Sequence, residues 1–171
     1  MQIREERSED ADGIRAVNDA AFGGADESAL IERLRDDDLV IASLVAEEYG
    51  EIVGHIAFSE LEVTSNDRQR SIRAAALAPM AVAPTHQRLG IGSELARQGI
   101  EICRENGVEA VVVLGHETFY PRFGFSSEIA ECLKSPFSGP FFMVLPLKQG
   151  VFDDFSGFVI YPDAFGIGTE Q

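Results

Sequence analysis

The sequence predicts a single α/β domain, and three observations carry that reading. Its 171 residues match one domain with a sizeable core. Segments with apolar residues at helical spacing alternate along the chain with short β-rich runs. One of those runs, "VEAVVVLG", is apolar throughout, the pattern of a strand covered on both faces.

The elements follow in order. "QIREE" reads as a short strand. Ser8 reads as the cap of a helix through "EDADGIRAVNDAAF", with acids in its first turn and Ile14, Val17, Ala21 and Phe22 at helical spacing. Gly23 and Gly24 end it. A second helix starts near Asp26 with Leu30, Ile31 and Leu34 on one face, and Asp36, Asp37 and Asp38 form a solvated loop after it. "LVIASLVAEEYGEIVGHIAFSELEV" is a hairpin with Gly50 in its turn. After the polar loop "SNDRQR" comes the strand "SIRAAALAPMAV". Its Pro79 cannot donate to a ladder, so it marks an edge, a bulge or a place where two strands part. "GSELARQGIEICRENG" is a helix with Leu95, Ala96, Gly99, Ile100 and Cys103 inward and Gly107 as its stop. After the apolar strand come an aromatic segment, "HETFYPRFGF", and a last strand, "PFFMVLPL". The tail from Lys148 shows no clear periodicity.

Composition excludes several classes. Hydrophobic residues make up 45% and charged residues 25%, close to the globular average, and no apolar run approaches the roughly 20 residues of a membrane span. The opening "MQIREERSED" is charged where a secretory leader carries an apolar core, so the expected compartment is cytoplasmic. Cys103 and Cys132 are too few for a disulfide framework and lack metal spacing, so no metal is expected. A net charge of −15 argues against nucleic acid and suits a cationic partner. The charge is uneven, with 18 acids and 5 bases up to Asp67, then no acid and four arginines (Arg68, Arg70, Arg73, Arg88) from Arg68 to Ser93. Such a basic window suits an anionic cofactor.

Within that window "VAPTHQRLGIGSEL" runs from a strand through two glycines into a helix. A P-loop needs Lys and then Ser or Thr after its last glycine, whereas Gly92 is followed by Ser93 and Glu94. A dinucleotide fingerprint needs a third small residue where Leu95 stands. What remains is Gln87-x-x-Gly90-x-Gly92, a loop whose glycines let the main chain approach an anion at the start of a helix, with Arg88 adding a full charge. A pyrophosphate suits it.

"LAPMAVAPTHQRLGIGSEL" resembles the acetyl-CoA-binding motif of the GCN5-related N-acetyltransferases, the GNAT superfamily. "FYPRFGF", one helix and one strand later, resembles the same family's YxxxGF segment. The resemblance covers roughly residues 1–147 and is strongest to a bacterial branch of N-acetyltransferases with largely undefined substrates. It implies a mixed, mostly antiparallel sheet flanked by helices, with strands parting near the cofactor site. Residues 1–147 would be the catalytic domain and 148–171 an extension packed on it. That tail is a candidate cover for the acceptor site or a homodimer contact.

Roles follow from the resemblance, residue by residue. Met80, Ala81 and Val82 would offer main-chain groups to the pantetheine arm. The N–H groups of Gln87, Arg88, Leu89, Gly90, Ile91, Gly92 and Ser93 would hold the pyrophosphate of acetyl-CoA, the cosubstrate. Tyr120 would protonate the departing CoA thiolate. The family's frequent glutamate base has no counterpart, since residues 68–93 hold no acid. Glu60, Glu62, His55, His116, Glu117 or a water relay are the candidates for deprotonating the amine. His86 and Glu94 are expected to face solvent. The implied activity is direct acetyl transfer to an amine of unspecified identity, with no nucleic acid and no membrane as partner. Two rivals remain: an acyl-CoA sensor without turnover, and an interaction module on the same fold.

Overall fold

The structure, a computed structural model, describes residues 1–167. It is a mixed α/β fold with an open, mostly antiparallel sheet and three α-helices, and its contacts form two compact units. Unit 1 holds Met1–Ser59 and Ala78–Cys103; unit 2 holds Glu60–Leu77 and the chain from Arg104 onward. Each is built by the local rules its sequence sets.

In unit 1, β1 (Gln2–Glu5) pairs antiparallel with β2 (Val40–Glu48), and β2 pairs antiparallel with the first part of β3 (Glu51–Ser65). Tyr49 and Gly50, at φ 50° and 80°, make the two-residue turn between β2 and β3. Helix α1 (Ala11–Phe22) and helix α2 (Asp26–Asp36) bring Ile14 and Ile31 onto Val45, beside the half-buried Ile52. Helix α3 (Ile91–Glu105) buries Ile91, Leu95, Ala96, Gly99, Ile100 and Cys103, the inward face its spacing predicts. Gly99 is there for space: a Cβ on it would lie 2.2 Å from Phe58 Cε2. Removing a residue as buried as Leu95 by Leu95→Ala would cost about 2–5 kcal/mol.

Two expectations about α1 fail. Ser8 does not cap α1; it opens a short 3-10 turn, and Asp10 precedes the helix without a side-chain cap. The Asp10 carboxylate is held instead by the Arg4 guanidinium, at 2.7 and 3.0 Å, and by the Arg7 N–H at 2.7 Å. Phe22, expected inward, is 46% exposed, because α1 ends there and Gly23 turns the chain away at φ 74°.

In unit 2 the last part of β3 pairs antiparallel with β8 (Gly157–Ile160), and β6 (Leu133–Lys134) pairs parallel with β8. The first part of β4 (Ser71–Val82) pairs parallel with β5 (Ala110–Leu114), and β5 pairs antiparallel with β7 (Phe142–Pro146). Ladder pairing of β4 with β5 runs from Ala74–Ala110 to Ala76–Val112, and β4 itself extends to Val82 through Pro79, which has no N–H to give.

β7 is therefore not the last strand. The tail supplies β8, and Val151, Phe155 and Val159 enter a core with Leu61, Val63, Ile72, Ala74, Val112, Phe142 and Val144. Gly157 passes so close to β3 that a Cβ there would lie 2.2 Å from the Thr64 carbonyl oxygen. A four-residue strand between two loops carries too little periodicity to be read from sequence.

Candidate active site

The loop of residues 87–93 lies in unit 1, between the end of β4 and the first turn of α3. After Val82 the chain makes a 3-10 turn at Pro84–His86, extends at Gln87, and takes left-handed conformations at Arg88 (φ 65°) and Gly90 (φ 87°). An arginine in that region carries strain of about 1 kcal/mol or more, which the anchors around it must hold. Those anchors are explicit. The Ala83 N–H donates to Val53 O at 2.8 Å, and the Gln87 side-chain amide donates to Val82 O at 3.1 Å. The His86 ring meets Glu48 Oε2 and Thr85 Oγ1, each at 2.8 Å. His86 is thus half-buried in a pairing with Glu48, not turned to solvent as its position in a polar loop suggested.

The ladder of α3 opens with the Glu94 N–H donating to Gly90 O at 3.1 Å, so the N–H groups of Ile91, Gly92 and Ser93 precede the first intrahelical bond. Together with the positive end of the helix dipole they form an anion-directed start. Gln87, Arg88, Leu89 and Gly90 are exposed, and Leu89 is 69% exposed. Ile91 is buried, so it can offer only its main chain. Met80 and Val82 are half-buried, and Ala81 is buried.

The two glycines of the motif have different reasons to be there. Gly90 is required by its backbone conformation. Gly92 has no positive φ, and a Cβ on it would meet Met80 Cε at 3.6 Å and Val82 Cγ2 at 3.7 Å, ordinary contact distances. The protein's own packing leaves room for a methyl group at residue 92. The Glu94 carboxylate is held by Gln98 at 3.0 Å and Arg97 at 3.2 Å along its own helix, which keeps it below the usual carboxylate range and half-buried.

The basic window does not act as one patch. In unit 2 the Arg68 guanidinium stacks on Phe158 at 5.2 Å and that of Arg70 on Phe155 at 5.2 Å. Arg73 binds Glu60 at 2.9 Å and the Asn106 carbonyl. Three of the four arginines are spent on structure. Arg88, in the loop, is exposed.

The aromatic segment, in unit 2, folds into a 3-10 turn at Tyr120–Phe123 that Gly124 ends at φ 101°. Tyr120 is buried, with Phe119 and Phe125 edge-on at 5.0 and 5.6 Å between ring centroids. Burial pushes its phenol up to about 12. Gly115, which the sequence reading missed, touches this ring: a Cβ there would lie 2.2 Å from Tyr120 Cε2 and 2.8 Å from Cδ2. Its only sequence signal was a glycine directly after an apolar strand, which also marks any turn.

Among the candidate bases, His55 is excluded. It is fully buried in unit 1, with Nε2 2.9 Å from Ser43 Oγ and Nδ1 3.2 Å from Asn18 Nδ2. Those distances imitate a Ser-His-Asn triad, but the polarity is wrong for one. Asn18 Nδ2 also donates to Ile14 O at 2.9 Å, so it is the amide nitrogen and it donates to Nδ1. His55 therefore carries its proton on Nε2 and donates to Ser43; it cannot take a proton from that hydroxyl. Burial, and then the Arg35 charge, push its pKa down to about 3, so it stays neutral. Glu60 is committed to Arg73, and Glu62 accepts from Thr64 Oγ1 at 3.1 Å. His116 and Glu117 are exposed, and the His116 carbonyl accepts the N–H groups of Phe119 and Tyr120 at 3.1 and 3.3 Å. Among the described residues, no group of three His, Cys, Asp or Glu side chains could hold a metal, and no helix is long and apolar enough to cross a membrane.

The model of the acetyltransferase (GNAT) domain family matches residues 2–127. The chain belongs to that family. Its curated relatives include the uncharacterized N-acetyltransferase YhbS of Escherichia coli, 32% identical over 168 residues that cover 96% of this chain and 98% of YhbS. They also include the uncharacterized N-acetyltransferase YjhQ of the same species, 42% identical over 118 residues. That alignment covers 68% of this chain and 64% of YjhQ. Among solved structures, E. coli YhbS in complex with CoA superposes with a TM-score of 0.87 at 30% identity, covering 97% of this chain and 92% of that one. A family member from Brucella melitensis in complex with acetyl-CoA gives 0.76 at 34% identity, covering 96% and 97%.

Proposed function

We propose that this protein transfers the acetyl group of acetyl-CoA to a primary amine. The observation that carries the reading is the loop from Gln87 to Ser93: a left-handed Gly90, a Gly92 left bare without need from the fold, and three N–H groups at the start of α3. The donor set fits a pyrophosphate, which needs close backbone approach and positive partial charge more than a lysine. Complexes of similar family members with CoA and acetyl-CoA support the same cofactor. In this reading Met80, Ala81 and Val82, at the end of β4, give main-chain groups to the pantetheine arm.

The chemistry runs by direct transfer. The neutral amine nitrogen attacks the thioester carbonyl carbon, a C–N bond forms, the C–S bond breaks, and the CoA thiolate takes the proton of the Tyr120 hydroxyl. A phenol held protonated by burial is a donor that stays loaded at every physiological pH. The amine's own proton passes to solvent or to one of the exposed groups Glu62, His116 or Glu117, and the Tyr120 phenolate regains a proton from solvent before the next turnover. The formal charge of −15 favours a cationic acceptor, such as a polyamine or a basic peptide, through long-range attraction.

Calorimetric titration of CoA into the parent and into Gly90→Glu tests the loop. The parent should bind with micromolar or tighter affinity and the variant should give no heat, because a carboxylate at residue 90 meets the pyrophosphate and a side chain there is strained. Equal affinity in both places the cofactor elsewhere.

A further inference from the structure

We infer that Gly115 is a positioning residue for acetyl transfer: its missing side chain forms the wall against which the Tyr120 ring is set. The inference rests on the proposed role of Tyr120. Its basis is a contact that no other residue type permits. A Cβ at residue 115 would lie 2.2 Å from Cε2, 2.8 Å from Cδ2 and 3.2 Å from Cζ of Tyr120, well inside van der Waals contact and aimed at the side of the ring that carries the hydroxyl.

Neither partner can simply step back. The Gly115 N–H donates to Phe141 O at 3.0 Å, and the neighbouring Leu114 is paired with Phe142 in the β5–β7 ladder. On the other side, the N–H groups of Phe119 and Tyr120 both bond the His116 carbonyl, which ties the turn to a residue one step from Gly115. The ring is flanked by Phe119 and Phe125, edge-on at 5.0 and 5.6 Å. The backbone conformation at Gly115 is not left-handed, so alanine is acceptable to the main chain, and the whole cost of Gly115→Ala falls on the contact with the ring. The ring must rotate or shift by an ångström or more, and the hydroxyl at its tip moves with it.

A displaced proton donor has a kinetic signature. A shift of about 1 Å in a group that acts in the transition state costs on the order of 10²-fold in rate, while contacts made equally by bound substrate are untouched. Gly115→Ala should therefore lower kcat by about 10–100-fold, with KM for acetyl-CoA and CoA affinity within about threefold of the parent. Since the effect passes through the hydroxyl, it should vanish once the hydroxyl is gone.

The experiment is a kinetic double-mutant cycle on the full chain: parent, Gly115→Ala, Tyr120→Phe and the double variant. Thiol release from acetyl-CoA is followed with spermidine, a lysine-containing peptide and a free-N-terminus peptide as acceptors, and without acceptor as a hydrolysis baseline. The expected result is a double variant within twofold of Tyr120→Phe alone. Equal losses in both backgrounds, or parent-like turnover in Gly115→Ala, would overturn the inference. If Tyr120→Phe itself turns over like the parent, the assignment of Tyr120 as the acid fails instead, a different result from either. Should Gly115→Ala not fold, adding Tyr120→Ala removes the ring; recovery of soluble, CoA-binding protein supports the contact, and no recovery contradicts it.

Discussion

Tyr120 and His55 are the two buried titratable rings on which the account turns, and they behave in opposite ways. Burial favours the neutral form of each, which raises the phenol to about 12 and lowers the imidazole to about 3. For Tyr120 the consequence is kinetic. Tyr120→Phe should reduce kcat about 100-fold, and by the same factor at every pH from about 7 to about 9, because the parent phenol stays protonated throughout. A loss that shrinks towards high pH in a pH-rate profile would show a phenol that ionises in that range. For His55 the consequence is stability. The unfolded chain protonates this histidine near 6.5 and the folded protein only near 3, so the unfolded state binds more protons between those values and stability falls as pH drops through that window. The slope is at most about 1.4 kcal/mol per pH unit. Asp10, held down to about 2 chiefly by its hydrogen bond from Arg4, keeps its contribution until the pH falls below about 3.8 and so does not blur the upper part of the window. Thermal melts between about pH 6.5 and about pH 4 should show a shallower decline for His55→Gln than for the parent; equal slopes would mean that another group titrates. At this scale the sequence was least informative. Nothing in the order of residues distinguishes a buried His55 bonded to Asn18 and Ser43 from an exposed one, since its partners lie 37 and 12 residues away.

Helix α3 and the turn before it were readable because their causes are local. Apolar spacing set the inward face, the glycines set the turn, and competing phosphate motifs failed within three residues, the P-loop at Ser93 and Glu94 and the dinucleotide fingerprint at Leu95. The separate reasons for the two glycines needed the third dimension, and they make separable predictions. Gly90→Ala should cost about 1 kcal/mol of stability, because alanine is disfavoured at φ 87°, and it should also weaken CoA binding. Gly92→Ala should leave the melting temperature nearly unchanged and weaken CoA binding, because its methyl group stands where the cofactor would approach the helix. Differential scanning fluorimetry and CoA titration on the same samples separate the two; a Gly92 variant that binds like the parent would mean that the loop holds nothing at that point. The basic window misled for a related reason. Counting arginines along the chain cannot show that Arg68 and Arg70 cover phenylalanines of a tail more than 80 residues further on.

The whole chain adds what no single segment carries. A tail without periodicity supplies β8 and three buried side chains to the core of unit 2, a pairing of distant segments that sequence order hides. Phe155, 4% exposed in that core, should cost about 3–5 kcal/mol when replaced by alanine, and removal of residues 148–171 should leave an insoluble or unfolded protein, as judged by expression and circular dichroism. A soluble, folded truncation would make the tail an appendage. The fold class was legible, because an apolar run and a hairpin act over a few residues. The central claim is acetyl transfer, and the most direct test is to incubate the purified protein with acetyl-CoA and the amine panel and measure CoA thiol release and acetylated amine together. The account predicts equal amounts of the two products with at least one amine, abolished in Gly90→Glu. Tight CoA binding with neither product above the enzyme-free background would contradict it and favour a sensor of acyl-CoA.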